Sequence, residues 1–196
     1  MTSDTVHLTS YRRPRGGGDR LRVTKIWEAA RATSAASSFF DPIRISIGAV
    51  GEEFVDGATG ANNPIQELWN EAKDMWDPEP LENNLKCIVS IGTGVPSVEP
   101  FRTGLLEIGD TLVRMSTETE KTAELFQRTH SDLDDSGRYF RFNVRNGLEK
   151  IALEDSSQKD TIVAVTQRYV ESQDTFKQMK RCASNLAERE RASLYA

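Results

Sequence analysis

Phe54-Val55-Asp56-Gly57-Ala58-Thr59-Gly60-Ala61-Asn62-Asn63-Pro64 is the stretch on which the reading of this chain turns. An apolar run delivers one carboxylate, Gly follows at once, and a helix opens a few residues later. Val50 to Val55 reads as a strand, although Glu52 and Glu53 interrupt its apolar pattern. Asp56-Gly57 is a turn signal, because Gly accepts positive φ and Asp can bond its own backbone. Asn63 suits an N-cap, Pro64 the first helical position, and Gln66 the place where a capping box wants Glu or Gln. Asp56 is therefore expected at the mouth of a strand-to-helix connection, where α/β proteins collect function. A plain turn aspartate that bonds local amides fits the same residues.

Two further stretches flank this motif. Upstream is Ile26-Trp27-Glu28-Ala29-Ala30-Arg31-Ala32-Thr33-Ser34-Ala35-Ala36, and downstream is Cys87-Ile88-Val89-Ser90-Ile91-Gly92-Thr93-Gly94. In this order the three resemble the patatin-like phospholipase family, in particular its fungal multidomain members. The resemblance runs from about Tyr11 to the Tyr139–Val144 strand and beyond. It implies an α/β fold of three layers around a central, mostly parallel sheet, here incomplete on its N-terminal side. It also implies hydrolysis of lipid acyl esters by a Ser–Asp dyad, with no cofactor and no metal. Asp56-Gly57-Ala58 matches the family's D-G-A/G motif, which makes Asp56 the counterpart of the proton acceptor. A Ser hydroxyl is a weak nucleophile and needs an adjacent base. In a dyad the carboxylate takes that proton directly, so it must lie within hydrogen-bond reach. Gly57 would keep the turn tight and leave room for a lipid head group.

The sequence departs from the family in one respect: it contains no G-x-S-x-G nucleophile elbow. Arg44 stands where Ser46 would need a Gly before it, and Ile88 does the same for Ser90. The family's elbow precedes the Ala-Arg-Ala-Thr-Ser segment by a long stretch, so the chain reads as the C-terminal part of such a domain. Gly16-Gly17-Gly18 is no substitute for the family's oxyanion loop, since no strand, elbow and helix fit between Gly18 and Trp27. The expected organisation is a flexible segment over residues 1–22, a partial patatin-like domain over 23–170, and a charged helical extension over 171–196.

Composition narrows the classes. A chain of 196 residues can hold a real core, although 37% apolar content is low for an independent domain. A net charge of −5 argues against nucleic acid as a partner. It also argues against a strong electrostatic grip on anionic membranes, while local Arg clusters leave room for peripheral contact. Cys87 and Cys182 read as reduced thiols in an apolar strand and a helix. His7 and His130 are far apart, with no metal-ligand spacing around them. The half calcium loop at Asp132, Asp134 and Asp135 lacks its terminal Glu. No apolar run is long enough for a transmembrane helix, and no signal core opens the chain, so a cytoplasmic protein is expected.

Along the chain, Met1 to Arg22 is expected to be extended or disordered, without chemistry. A helix capped by Thr24 is expected to reach about Ala36, with Ile26, Ala29, Ala30 and Thr33 on its packed face. Within it Arg31 reads as structural, paired to Glu28 or a distant carboxylate. A hairpin around Gly48 joins Arg44–Ile47 to Val50–Val55. Pro64 to Trp76 is an amphipathic helix with Ile65, Leu68, Trp69, Ala72, Met75 and Trp76 in its stripe, and Trp69 and Trp76 read as core. Leu85 to Ile91 reads as a strand covered on both faces, closed by Gly92-Thr93-Gly94. That Gly-Thr-Gly is too short for a P-loop and reads as a tight strand exit, which in the family would border the active site. Helix from Gly104 through Phe126, an acidic loop over Ser131–Gly137, a Tyr139–Val144 strand and a single long helix from Asp160 to Arg191 complete the chain. Ile162, Val165, Tyr169, Phe176 and Ala183 stripe that last helix.

Three functions compete at this level. One is part of a lipid acyl hydrolase acting through Asp56, with a phospholipid or acylglycerol ester as substrate. Another is an inactive remnant that binds lipid or protein. The third is a half-site completed in trans, disfavoured by the unpaired strand edges it would leave. Further domains of a larger parent are compatible with all three.

Overall fold

The computed structural model describes residues 5–14, 16, 18–36, 39–95, 106–149, 151 and 155–193, without the side chains of 59, 106–117 and 188–193. The chain is mixed α/β and divides into two units, Met1–Leu81 and Glu82–Ala196.

The first unit is built on a hairpin. Strands β1 (Ile43–Ile47) and β2 (Val50–Phe54) pair antiparallel, with Ile43 opposite Phe54 and Ile47 opposite Val50. Gly48 turns the chain at φ 65°, as the sequence requires. Ile45 and Phe54 are buried with Ala32, and Val6 and Leu8 pack onto this cluster. So the described stretch 5–14, outside any helix or strand, is docked through Val6 and Leu8, while residues 18–22, expected to be extended or disordered, are helical. Alternation along the docked stretch sends Val6 and Leu8 to the hairpin core while His7 bonds two carboxylates elsewhere, as strand-like geometry demands.

Helix α1 (Gly18–Val23) precedes α2 (Ile26–Ala32), which is shorter than the Ala-rich pattern suggested. Thr24 does not cap α2. Its N–H closes α1 on the Arg20 carbonyl at 2.9 Å, and its hydroxyl is buried without a partner. Lys25 takes the cap position, where Glu28 reaches back to its N–H at 2.8 Å. The far end stops early because the Thr33 and Ser34 hydroxyls both bond the Ala30 carbonyl, at 3.1 and 2.9 Å, which favours leaving the helix. The packed face also differs: Ile26 is 91% exposed, while Ala32 and Ala35 are the buried residues. Arg31 is structural as expected, but it bonds the Asp41 carbonyl at 2.6 Å and lies 5.4 Å from the Phe40 ring rather than pairing with Glu28.

After β2, a single turn α3 (Ala58–Ala61) leads into α4 (Ile65–Trp76). Pro64 occupies the cap position one residue earlier than expected, and the Asn63 side chain accepts the Ile65 N–H at 3.4 Å. Of the apolar stripe, Ile65 and Trp69 are buried, whereas Leu68, Met75 and Trp76 are exposed. Trp76 is thus not a core residue. The turn α5 (Leu81–Asn84) follows.

The second unit carries the parallel pair expected of an α/β chain. Strand β3 (Ile88–Ile91) lies beside β4 (Tyr139–Phe142), with Ile88 opposite Tyr139 and Ile91 opposite Phe142. Strand β3 is covered on one face rather than two. Ile88 and Ser90 are buried while Ile91 is 77% exposed, the alternation a period of two produces. The long crossover helix α6 (Leu106–Thr129) is continuous through the polar run after Met115, as expected. Its Phe126 is fully buried, 4.5 Å from the His130 ring and 5.4 Å from that of Tyr139. Leu105, Ile108, Leu112 and Met115, which recur at helical spacing in the sequence, lie outside the described residues and side chains.

The acidic stretch after α6 is a helical turn, α7 (Ser131–Asp135), not a loop. Leu133 is fully buried and pulls the turn onto the core, and Gly137 ends it at φ 66°. The last helix is two. Helix α8 (Lys159–Glu171) stops at Ser172, whose ψ of 143° is extended, and α9 (Gln173–Ser193) restarts there. The Ser172 hydroxyl bonds that of Thr175 at 2.9 Å, and the Phe176 N–H bonds the Ser172 carbonyl. The expected stripe fails with the break. Ile162 and Phe176 are exposed, and Thr175 and Cys182 are buried instead. Among the described residues no helix is long and apolar enough to cross a membrane.

Candidate functional site

Asp56 lies between the end of β2 and the start of α3, as expected. Its Oδ1 accepts the Ala58 N–H at 2.8 Å, an Asx turn that orients the carboxylate. Its own N–H donates to the Ala35 carbonyl at 3.0 Å. The motif is therefore fastened to the exit of α2, and two of the three sequence stretches that flagged the site meet here. Asp56 is half-buried, neither sealed in the core nor fully solvated.

Gly57 departs from expectation. It sits at φ −63°, ψ −11°, ordinary right-handed helical backbone, and a Cβ built on it would meet nothing within 4 Å. No local strain asks for glycine here, because only positive φ or a close neighbour does so. The space above residue 57 is what its missing side chain leaves open.

The third stretch, Gly92-Thr93-Gly94, belongs to the second unit and leaves the carboxyl end of β3. Here glycine is required. Gly94 has φ 107°, and a Cβ at Gly92 would collide with the Asn143 side chain. The exit is held by a polar network. Asn143 Oδ1 accepts the Gly94 N–H at 2.7 Å, and Asn143 Nδ2 donates to Glu120 at 2.9 Å. Arg141 bonds Glu120 at 2.7 Å and the Ser90 hydroxyl at 2.9 Å. The expected tight strand exit is thus built from side chains of β3, β4 and α6.

The first unit holds a second cluster that sequence reasoning missed. Glu71 on α4 is only 9% exposed. It accepts from His7 Nδ1 at 3.0 Å, from Arg13 at 2.5 Å and from the Tyr11 hydroxyl at 3.2 Å. The other ring nitrogen of His7 meets Glu67 at 3.0 Å. Burial alone would raise the Glu71 carboxyl. The hydrogen bonds from His7 and Tyr11 and the charge of Arg13 outweigh it and hold the group below the usual glutamate range. Burial, with the adjacent Glu71 carboxylate, pushes the Tyr11 phenol up. His7 lies 64 positions from Glu71 and Tyr11 60, so no local pattern announces them. The one available signal is a Glu on the apolar side of an amphipathic helix.

A mixed α/β chain with a D-G-A turn tied to an Ala-rich helix exit, and a glycine-closed parallel strand, is the class that emerges. Residues 4–69 match the family model described as Patatin-like phospholipase. Across that segment the chain is similar to the patatin-like phospholipase family. The match includes Asp56, Gly57 and Ala58 and begins inside the N-terminal segment. Calcium-independent phospholipase A2-gamma of Mus musculus is 32% identical over 175 residues, 84% of this chain and 20% of that protein. The protein of that name from Rattus norvegicus is 32% identical over 181 residues, 87% of this chain and 21% of its own length. That from Homo sapiens is 31% identical over 175 residues, 84% and 20% respectively. The chain spans about a fifth of the length of these curated relatives.

Proposed function

We propose that this chain supplies the acidic half of a Ser–Asp dyad that hydrolyses acyl esters of phospholipids, with Asp56 as the proton acceptor. The observation that carries this reading is the position of Asp56. It stands on a D-G-A turn inside the family-matched segment, with its carboxylate plane set by the Ala58 N–H. In this reading the nucleophile Ser belongs to polypeptide outside these 196 residues, since no G-x-S-x-G occurs within them. As the Ser attacks the ester carbonyl carbon, Asp56 takes its hydroxyl proton and then returns a proton to the departing lysolipid oxygen. Water repeats the sequence on the acyl-enzyme. The dyad calls on no metal, in keeping with the name "calcium-independent" carried by the relatives. Gly57 leaves room for the head group. The patatin-like portion runs to about residue 170, and the helix break at Ser172 supports a boundary there.

Asp56→Asn in the full-length protein tests the assignment. Asn keeps the acceptor for Ala58 N–H but cannot take a proton. Turnover of phospholipid vesicles should fall about 10²–10⁴-fold, the usual worth of a general base, while the thermal midpoint stays put. Wild-type turnover in the folded variant would end the assignment.

A further inference from the structure

We propose that Cys87 and Cys182 are a peroxide-sensitive thiol pair that closes to an intramolecular disulfide, clamping α9 to the start of β3. The two residues are distant in sequence, and both are free thiols. Three contacts bring them together. The Ile88 N–H bonds the Arg138 carbonyl at 2.8 Å, which sets residue 87 beside the start of β4. From α9, Asn185 Nδ2 bonds the Gly137 carbonyl at 2.9 Å, and the Arg181 guanidinium lies against Gly137. Cys182 stands between those two anchors, one residue after Arg181 and less than one turn before Asn185. The Cys87 and Cys182 thiols are consequently within hydrogen-bonding reach of each other.

The chemistry balances with hydrogen peroxide as oxidant. Cys87, half-buried, is the better exposed of the two, and Cys182 is nearly enclosed. The Cys87 thiolate attacks one peroxide oxygen and the O–O bond breaks. Hydroxide leaves and is protonated to water, and the sulfur becomes a sulfenic acid. Cys182 sulfur then attacks the sulfenic sulfur, forming S–S and expelling a second water. Two thiols give up two electrons and two protons in all, and one peroxide becomes two waters. Burial first, and the neighbouring Cys182 sulfur second, push the Cys87 thiol up from its ordinary value. The thiolate fraction at neutral pH is therefore small. Closure should be slow there and should quicken about tenfold per pH unit through the mildly alkaline range. Until then the pair is a buried reduced contact; once closed, it links β3 covalently to a helix otherwise fastened by side-chain bonds.

The test is oxidation of the folded protein with hydrogen peroxide, then alkylation and peptide mapping without reductant. The expected result is a linked peptide pair joining Cys87 to Cys182 and a mass lower by two hydrogens. Its rate should rise with pH, and reductant should reverse it. The thermal midpoint of the oxidised form should rise by at least ~5 °C, because closing so long a loop restricts the unfolded chain. C87S and C182S should each abolish the linked peptide. Peroxide treatment that leaves both thiols alkylatable, or carries Cys87 alone to sulfinic acid, overturns the proposal. So does a disulfide found only between two molecules. The wild-type mapping decides the matter even if a variant fails to fold, and it is independent of any role for Asp56.

Discussion

Replacing Glu71 by Gln isolates the charge of the buried carboxylate that ties the N-terminal segment to α4. Gln keeps the size of the side chain. It leaves Arg13, 2.5 Å away, without an opposite charge, and it turns an amide toward the His7 and Tyr11 donors. A hydrogen bond to a charged group is worth about 1.5–3 kcal/mol, and three of them share this carboxylate. They do not add in full, because His7 and Arg13 are 19% and 25% exposed and water recovers part of the loss. A net cost of about 2–3 kcal/mol follows, well above the ~0–1 kcal/mol of a surface pair. For a chain of this size that lowers the thermal midpoint by about 5–10 °C. Glu67→Gln is the internal comparison: Glu67 is 37% exposed and meets His7, so its loss should cost under ~1 kcal/mol. Thermal unfolding followed by circular dichroism measures both. The acid limb gives a second reading. The Glu71 carboxyl is held below its ordinary value of 4.5, so its stabilisation is fully present above that value and is lost as pH falls through the lower folded value. Glu71→Gln should flatten that limb. Equal midpoints for the two variants, or an unchanged acid limb, would refute the clamp.

Two further substitutions probe the glycine motifs in opposite directions. Gly57→Ala has no steric objection and stands in helical backbone, so it should stabilise the fold by about 0.5 kcal/mol, read from denaturant midpoints. The same methyl enters the open space at residue 57 proposed for the head group, so hydrolysis by the full-length protein should fall while stability rises; unchanged turnover would remove the head-group role from Gly57. Gly92→Ala drives a methyl into Asn143 and Arg141 and breaks their network, costing about 1–3 kcal/mol by the same measurement. A neutral outcome would mean that the strand exit can shift without those bonds.

What the sequence determined about this protein by itself is its local structure and its kinship. The hairpin at Gly48, the α4 periodicity, the aromatic strand β4 and the Asp56 turn are written in residues a few positions apart, where propensity and turn chemistry act. The motif set gave the family, and the match over residues 4–69 agrees with it. Element ends were less legible. Hydroxyls at Thr33 and Ser34 cut α2 short, Ser172 divided the final helix, and a buried Leu133 wound an acidic stretch into a turn. The tertiary structure alone decided which faces are covered. Trp76 shares a helical stripe with buried Ile65 and Trp69 yet stands exposed, and no residue of the Ile26 stripe is fully buried while Ala32 and Ala35 are, because periodicity names a face and not its neighbour. It alone brought His7, Tyr11 and Arg13 to Glu71, tied Asp56 to Ala35, and set Cys87 against Cys182. Such contacts join positions far apart in the chain, and their energy exists only once packing has brought them within a few ångströms.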